Sequence, residues 1–335
     1  MKIAFFEATE SEKEYFSKEL AGHELVYITE NLTPENVDLA KGAEVVSVFV
    51  NSEVKQSVLD LLTGVKFIAT RSTGFDHIDG LYAKEKGVAV ANVPSYGSRT
   101  VAEFAFGLIL NLSRKIYMAR HQLMEGDNFN ISSLRGFDLY GKTLGVVGTG
   151  RIGKNVIKIA NGFGMKIVAC DAFPDLNFAK EQGFEYVSLE DLLKNSDIVT
   201  LHTPYNQSTH HLINKQNIGL MKKNAYLIND ARGELVETDA LIQAISSGAI
   251  AGAGLDVLEN ERQLKEESEL MKKGPEAFKD FKTLFENQLL MDMPNVMVTP
   301  HVAFDTVEAV HEIMQTTADN IKAFSEGKVI NQINA

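Results

Sequence analysis

The feature that most constrains the fold is a glycine-rich turn near the middle of the chain. The segment LGVVGTGRIG, residues 144–153, joins an apolar run to glycines at 148, 150 and 153. Between a strand and a helix, this spacing allows a tight turn and close approach of a phosphate group, which the positive end of the helix attracts. A long segment rich in strand-like runs precedes the turn. The chain therefore predicts a separate folded unit in front of a phosphate-binding one.

Short apolar runs alternate with helix-like stretches on both sides of this turn. Alternation rich in β-branched residues is typical of parallel sheets covered by helices on both faces. The prediction is an α/β protein with two Rossmann-like, doubly wound parallel-sheet domains separated by an active-site cleft. The predicted strands are residues 3–6, 25–28, 44–49, 67–71, 88–93, 144–150, 166–171, 197–202, 225–230, 252–257 and 295–300.

Length and composition exclude several classes of protein. The 335 residues suit two domains, and no apolar run reaches the roughly 18 residues of a membrane span. The first residues lack the features of a signal peptide. Cys170 is the only cysteine, which fits a reducing cytoplasm. The formal net charge of −12 argues against nucleic acid or an anionic membrane as partner. An anionic substrate would therefore need specific local cations.

Residues 99–120 predict a long helix that is apolar on nearly every face over 101–112. Such a helix must be buried all round. Packing against two domains, packing against a second subunit and an ordinary core position all satisfy this requirement.

An aspartate strengthens the interpretation of the glycine turn. Asp171 ends the next predicted strand, 23 residues after Gly148 (171 − 148). Its carboxylate can accept hydrogen bonds from the adenosine ribose hydroxyls of a dinucleotide. Its charge would repel a 2′-phosphate, and the following residues carry no Arg or Lys before Lys180. The prediction is NAD rather than NADP.

Three further side chains follow predicted strands and suit hydride transfer to a 2-keto acid. Arg232 can hold a carboxylate by two parallel hydrogen bonds, and His301 can give the keto oxygen its proton. Glu261 can orient that imidazole and favour its protonated form. Taken singly, these residues also fit a helix cap, a strand-end histidine and a surface carboxylate. Together with the glycine turn, they favour the catalytic interpretation.

The series of motifs resembles the D-isomer-specific 2-hydroxy acid dehydrogenases over essentially the whole chain. The motifs are STGFDHID (72–79), NVPSYGSRTVAEFA (92–105), GVVGTGRIG (145–153), LHTP (201–204), INDARGELV (228–236), GLDVLENE (254–261) and VTPH (298–301). The resemblance implies a substrate domain formed by residues 1–99 and 301–335, with an NAD-binding Rossmann domain inserted at 100–300. It also implies a homodimer joined through the NAD domains.

The resemblance also implies a role for each residue that matches a motif. The catalytic residues would be Arg232, Glu261 and His301. The cofactor-binding residues would be Gly148, Gly150, Arg151, Ile152, Gly153, Asp171, Thr203, Pro204, Thr209, Asp230, Ala231, Arg232 and Asp256, with Asp256 on the nicotinamide carboxamide. The substrate-binding residues would be Thr73 and Gly74, through their backbone amides, with Tyr96, Arg232, His301 and Phe304. No metal is implied.

One residue departs from the family pattern. Asp230 stands two residues before Arg232, where a small neutral residue is usual, and a carboxylate there is expected to weaken binding of an anionic substrate or to alter nicotinamide contacts. Tyr96, Phe304 and the charged segment after residue 261 resemble the D-lactate and D-2-hydroxyisocaproate dehydrogenases. The prediction is reduction of pyruvate to D-lactate with NADH. Larger 2-keto acids, hydroxypyruvate or phosphoglycerate chemistry, and an NAD-sensing binding protein are the alternatives.

Overall fold

The computed structural model describes residues 1–126, 129–261 and 278–334, with the side chains of 278–281 excepted. Most of the charged segment after residue 261 lies outside these described residues. The chain divides into two compact units, the first formed by Met1–Gly97 with Asp305–Ala335 and the second by Ser98–Phe304. No helix among the described residues is both long and apolar enough to cross a bilayer.

Strands and helices are numbered in chain order within the described residues. The strands are β1 (Lys2–Phe5), β2 (Glu24–Tyr27), β3 (Val45–Val48), β4 (Phe67–Thr70), β5 (Ala89–Ala91), β6 (Thr143–Val147), β7 (Lys166–Cys170), β8 (Glu185–Tyr186), β9 (Ile198–Leu201), β10 (Tyr226–Asn229), β11 (Gly252–Leu255) and β12 (Val296–Val298). The helices are α1 (Glu10–Glu19), α2 (Gln56–Leu59), α3 (Gly80–Glu85), α4 (Ser98–Arg114), α5 (Ile116–Met124), α6 (Arg151–Gly162), α7 (Leu176–Gln182), α8 (Leu189–Asn195), α9 (Thr238–Ser246), α10 (Phe278–Asp292) and α11 (Val307–Ser325).

The first unit is a five-stranded parallel sheet of order β2-β1-β3-β4-β5 with helices on both faces. Phe16 of α1 and Ile321 of α11 share a buried cluster with one face of the sheet. Val58 of α2 and Ala83 of α3 share a second cluster with the other face. The helix α11 comes from the far end of the chain, and its Phe324 ring stacks on Phe67 of β4 at 4.7 Å. The unit is therefore completed by two distant chain segments.

The second unit is a seven-stranded parallel sheet of order β12-β11-β10-β9-β6-β7-β8. The chain runs outward from β6 through β7 to β8, then returns to β9 on the other side of β6. Ligands of such sheets bind beyond the carboxyl ends of the strands where the order reverses, here between β6 and β9. Helices α4 and α6 cover one face, and α8 and α9 cover the other. Two parallel α/β domains were predicted, and this fold class is confirmed.

The helix predicted over residues 99–120 is divided in the structure. Lys115, with a left-handed φ of 54°, separates α4 from α5. The buried side chains of α4, among them Ala105 and Ile109, pack in the core of the second unit with α6 and the sheet. The all-round apolar pattern is explained by that core position.

Candidate active site

The glycine turn has the geometry of a phosphate-binding loop. Gly148 has a φ of 92°, and a Cβ there would lie 2.6 Å from the backbone oxygen of His202. A Cβ at Gly153 would collide with the Gly148 carbonyl. At Gly150, in contrast, an added Cβ would meet no described atom within 4 Å. Gly148 and Gly153 are therefore required by the protein's own packing, whereas Gly150 leaves space for a ligand.

Helix α6 begins directly after this turn, at Arg151. Its N-cap residue, Gly150, provides no side-chain hydrogen bond to the first turn of the helix. The first N–H groups of a helix lack acceptors within the helix and carry partial positive charge. The turn and the helix N-terminus together fit the pyrophosphate of a dinucleotide.

Asp171 follows β7 and lies beside the glycine turn. Its Oδ2 accepts hydrogen bonds from Thr149 N at 2.5 Å and Thr149 Oγ1 at 2.9 Å, and its Oδ1 accepts one from Phe173 N at 2.8 Å. Burial alone would raise the pKa of Asp171, but these hydrogen bonds hold that pKa below its usual value. The carboxylate is therefore ionised at neutral pH. It has about four acceptor positions and can accept a further hydrogen bond.

His301 contacts Glu261 at the carboxyl edge of the same sheet. The His301 Nδ1 lies 2.5 Å from Glu261 Oε1, and both side chains are partly exposed. With Nδ1 held by the carboxylate, Nε2 is the ring nitrogen that can carry a proton for a substrate. His301 has a left-handed φ of 56°, a conformation that is uncommon for a residue with a side chain and that concentrates at functional sites.

Glu259 is a second carboxylate on the same turn, two residues before Glu261. Its Oε1 lies 2.8 Å from His211 Nε2, and its Oε2 accepts a hydrogen bond from Thr238 Oγ1 at 2.8 Å. Glu259 thus holds a different part of the unit, and Glu261 is the carboxylate paired with His301.

Asp256 is buried and holds the segment that carries His301. Its carboxylate accepts hydrogen bonds from Thr299 Oγ1 at 2.5 Å, Val302 N at 3.1 Å and Ala303 N at 2.8 Å. Burial outweighs these donors and raises the pKa of Asp256. The backbone N–H of His301 also donates to the Asp256 carbonyl, at 2.8 Å. Sequence reasoning missed this anchoring function and the contribution of Thr299.

Arg232 lies on a segment that is fixed by a neighbouring asparagine. Asn229 Nδ2 donates to the Arg232 carbonyl at 2.8 Å, and Asn229 Oδ1 accepts from Ala231 N at 3.2 Å. A Cβ on Gly233 would collide with the backbone of Leu258, so only glycine lets these segments meet. The structure therefore places the Arg232 segment directly against the segment leading to Glu261. Asn229 was not identified from sequence, although its position within the motif INDARGELV (228–236) was a signal.

Asp230 is directed away from solvent. The parallel register of β10 and β9 pairs Asn229 with Leu201, so the next residues, Asp230 and His202, lie side by side. Both side chains are fully buried, and Asp230 Oδ1 lies 3.2 Å from His202 Nδ1. Neither Asp230 oxygen has hydrogen-bond geometry with a described group. Asp230 and His202 are therefore in close contact inside the unit, without a hydrogen bond between them.

The remaining predicted residues lie on loops of either unit or on the first turn of α6. In the first unit, Thr73 Oγ1 donates to the Val93 carbonyl at 2.7 Å, and Ser72 Oγ donates to the Gly74 carbonyl at 2.6 Å. Tyr96 belongs to the same unit. In the second unit, the Phe304 ring lies edge-on to the His301 ring at 6.4 Å. The other cofactor candidates of the second unit are Arg151 and Ile152 on the first turn of α6, and Thr203, Pro204 and Thr209 after β9, where Thr209 Oγ1 donates to the Pro204 carbonyl at 2.8 Å.

Metal chemistry has no evident site in the part of the chain that the structure describes. No group of three or more His, Cys, Asp and Glu side chains there is arranged to hold an ion. The chemistry of the described site is that of an arginine, an imidazole and carboxylates beside a dinucleotide turn.

Known proteins show the same architecture. Residues 106–303 match the family profile described as D-isomer specific 2-hydroxyacid dehydrogenase, NAD binding domain. The chain is 44% identical to 2-hydroxyacid dehydrogenase A of Aspergillus oryzae, over 97% of this chain and 92% of that protein. It is 38% identical to D-lactate dehydrogenase of Escherichia coli, over 98% of each chain. A D-lactate dehydrogenase from Aquifex aeolicus, solved with NAD and lactic acid, superposes with a TM-score of 0.88 at 36% identity, covering 97% of this chain and 96% of that one.

Proposed function

Because this chain belongs to the D-isomer-specific 2-hydroxyacid dehydrogenase family, we propose that it reduces pyruvate to D-lactate with NADH. The chain is an oxidoreductase of D-2-hydroxy acids, and NAD is its cofactor. The observation that carries the proposed chemistry is the 2.5 Å contact between His301 and Glu261 beside the Arg232 segment. The preference for pyruvate is supported by similarity over nearly the whole chain to D-lactate dehydrogenases.

Residues of the second unit would hold the cofactor. The glycine turn and the start of α6 would bind the pyrophosphate, and Asp171 would accept hydrogen bonds from the adenosine ribose. The proposed set is completed by Thr203, Pro204, Thr209, Asp230, Ala231 and Asp256. When bound, NADH supplies the hydride for the carbonyl carbon.

Arg232, His301 and Glu261 carry out the remaining chemistry. The guanidinium of Arg232 binds the substrate carboxylate by two parallel hydrogen bonds and polarises the keto oxygen. His301 gives its Nε2 proton to that oxygen as the carbonyl becomes an alcohol, and Glu261 stabilises the imidazolium through Nδ1. In the direction of oxidation, the neutral imidazole removes the hydroxyl proton. In the first unit, the proposed substrate-binding residues are Thr73 and Gly74, through their backbone amides, and Tyr96.

A parallel assay tests the proposed substrate and the class of protein. NADH oxidation is measured with pyruvate, 2-ketoisocaproate, hydroxypyruvate and 2-ketoglutarate, and kcat/KM should be highest with pyruvate. A higher value for 2-ketoisocaproate would assign the enzyme to larger 2-keto acids, a reading that the generic name of the Aspergillus oryzae relative leaves open. Binding of NADH without turnover of any keto acid would instead indicate an NAD-sensing protein.

Asp171 should make the enzyme select NADH over NADPH. Repulsion between this carboxylate and a 2′-phosphate should give a preference of about a hundredfold in kcat/KM, or ~2.7 kcal/mol. The variant Asp171→Asn should lower the ratio of kcat/KM for NADH to kcat/KM for NADPH, both measured at saturating pyruvate. The exposed Glu181, on α7 of the same unit, offers a matched control, and Glu181→Gln should keep the wild-type ratio. Equal efficiency of the wild-type enzyme with the two cofactors would contradict this assignment.

We also infer a homodimer joined through the second unit. Helix α4 does not provide the interface, because its buried apolar side chains pack in the core of that unit. Large apolar side chains are instead exposed along residues 116–140, namely Ile116, Tyr117, Leu123, Met124, Phe129, Ile131 and Tyr140. An exposed apolar surface of this kind is typical of a subunit interface.

Light scattering at micromolar concentration should therefore give the mass of a dimer. Ile131→Asp, at a side chain that is 78% exposed, should shift the equilibrium toward monomer because it places a charge in the apolar contact. Leu81→Asp, at an 80% exposed position of the first unit, should leave the dimer intact. A monomeric wild-type protein would refute the inferred assembly.

Cys170 supports a cytoplasmic location. It is the only cysteine and is partly buried at the end of β7. Burial raises the pKa of the Cys170 thiol, and the neighbouring Asp171 charge adds to that effect. The thiol is therefore protonated and weakly reactive at neutral pH, as suits a structural cysteine in a reducing compartment.

A further inference from the structure

We propose that Glu7 is a positioning residue that fixes the substrate-facing loops of the first unit and so sets the enzyme's discrimination by substrate size. The inference rests on the proposed function, in which Thr73 and Gly74 of this unit bind the substrate carboxylate. Glu7 belongs to none of the motifs that the sequence shares with its family.

Glu7 lies at the carboxyl edge of the first unit's sheet. It follows β1, while residues 49–52 follow β3 and residues 71–74 follow β4, the next strands in the sheet. Because parallel strands end at one edge, these three segments share the edge where ligands of such sheets bind. Glu7 has a left-handed φ of 55°, a conformation that costs on the order of 1 kcal/mol for a residue with a side chain and that persists only where neighbouring contacts enforce it.

The carboxylate of Glu7 accepts three hydrogen bonds from the loop after β3. Its Oε2 accepts from Phe49 N at 3.0 Å and from Ser52 Oγ at 2.6 Å, and its Oε1 accepts from Asn51 N at 3.0 Å. Ser52 is fully buried, and its Oγ also accepts from Leu32 N at 2.9 Å. The Glu7 side chain therefore holds the loop 49–52 at three of its four residues.

The backbone of Glu7 is joined to the second loop. The Glu7 carbonyl accepts a hydrogen bond from Arg71 Nη2 at 3.0 Å, and the Phe6 carbonyl accepts from the same nitrogen at 2.6 Å. Arg71 is buried, and its Nε contacts Glu12 Oε1 at 2.7 Å. Arg71 directly precedes Ser72, Thr73 and Gly74. Glu7 thus links the loop proposed to hold the carboxylate to the loop 49–52.

This arrangement assigns the two loops different tasks. The amides of Thr73 and Gly74 hold the carboxylate, which all 2-keto acids share. Residues 49–51 lie at the same edge of the sheet and can contact the side chain, which differs between 2-keto acids. The three hydrogen bonds to the Glu7 carboxylate restrict the position of the loop 49–52. If the loop 49–52 is loosened, the space for the substrate's side chain widens, and larger 2-keto acids can compete with pyruvate for the site.

The variant Glu7→Gln tests this proposal. A glutamine has one acceptor oxygen, and its NH₂ group would face a backbone N–H, so the loop loses at least one of its hydrogen bonds. KM for pyruvate should rise about tenfold, as expected for the loss of a hydrogen bond to a charged group. The kcat/KM preference for pyruvate over 2-ketoisocaproate should narrow, while kcat with pyruvate and the dissociation constant of NADH stay close to wild type.

Two further variants keep the test decisive. Glu14→Gln, at an exposed glutamate of α1, should match wild type in every measurement. Ser52→Ala removes one donor to Glu7 and should change KM and the substrate preference in the same direction by a smaller factor. This variant decides the outcome if Glu7→Gln does not fold.

The results that would overturn the proposal are distinct from failure of the proposed function. Unchanged KM and substrate preference in a folded Glu7→Gln enzyme would overturn it. A fall in kcat and kcat/KM by the same factor for all four keto acids would also overturn it, since that pattern indicates a structural role only. If the wild-type enzyme reduces none of the keto acids, the proposed function fails, and this inference fails with it.

Discussion

Replacing His301 with alanine should lower the turnover of pyruvate reduction by roughly 10²–10⁴, the usual contribution of a positioned general acid. The hydride would still be available, but the developing oxyanion would have to take its proton from water. NADH binding should be retained, because the glycine turn and Asp171 follow β6 and β7, whereas His301 follows β12. Steady-state kinetics with pyruvate and fluorescence titration with NADH measure the two effects separately.

The two glutamates on the turn after β11 provide the control. Glu261→Gln should lower turnover, because an amide cannot replace the carboxylate that contacts the Nδ1 of His301. Glu259→Gln should keep turnover close to wild type, since Glu259 contacts His211 and Thr238 instead. Reduced turnover in Glu259→Gln and normal turnover in Glu261→Gln would show that the wrong carboxylate has been assigned.

Arg232→Lys should be almost as damaging, although the charge is conserved. An ammonium group cannot reproduce the planar, two-pronged contact with a carboxylate, so kcat/KM for pyruvate should fall by roughly 10²-fold or more, equivalent to at least ~2.7 kcal/mol. Arg114→Lys, at an exposed position of α4 in the same unit, should match wild type. A near-normal kcat/KM in Arg232→Lys would exclude the bidentate contact, and the substrate carboxylate would have to be held elsewhere.

Much of the site could be anticipated because the ends of strands are encoded locally. Apolar runs show where parallel strands stop, and parallel strands stop at one edge, so Arg232, His301 and the acidic segment after β11 were expected near each other. Sequence alone does not show which of Glu259 and Glu261 faces His301, because that depends on how residues 258–261 turn. The support from Asn229 and Thr299 is also invisible in a pattern, since hydrogen bonds between segments distant in sequence have no local signature.

Other features escaped prediction for different physical reasons. The strand β8 has two residues, too few to show any periodicity. The break between α4 and α5 depends on Lys115 adopting a left-handed conformation, which the presence of a lysine does not predict. The pairing of Asp230 with His202 follows from the register of β9 and β10, and register is set by the whole sheet. From sequence, Asp230 was expected to weaken substrate binding or to alter nicotinamide contacts. Its contact with His202 could be identified only from the three-dimensional structure.

The division of the first unit between the two ends of the chain has a consequence for synthesis on the ribosome. Its sheet is made before the second unit, but the helix α11 that covers one face is made after it. At roughly 5–20 residues per second, synthesis of the intervening second unit takes on the order of ten to forty seconds. During that time Phe67 and its neighbours lack their covering helix, whereas the second unit is contiguous and can close as it is made. The nascent protein thus gains its cofactor-binding half before its first-made half is complete, and chaperones that recognise exposed apolar surface have their longest opportunity at the beginning of the chain.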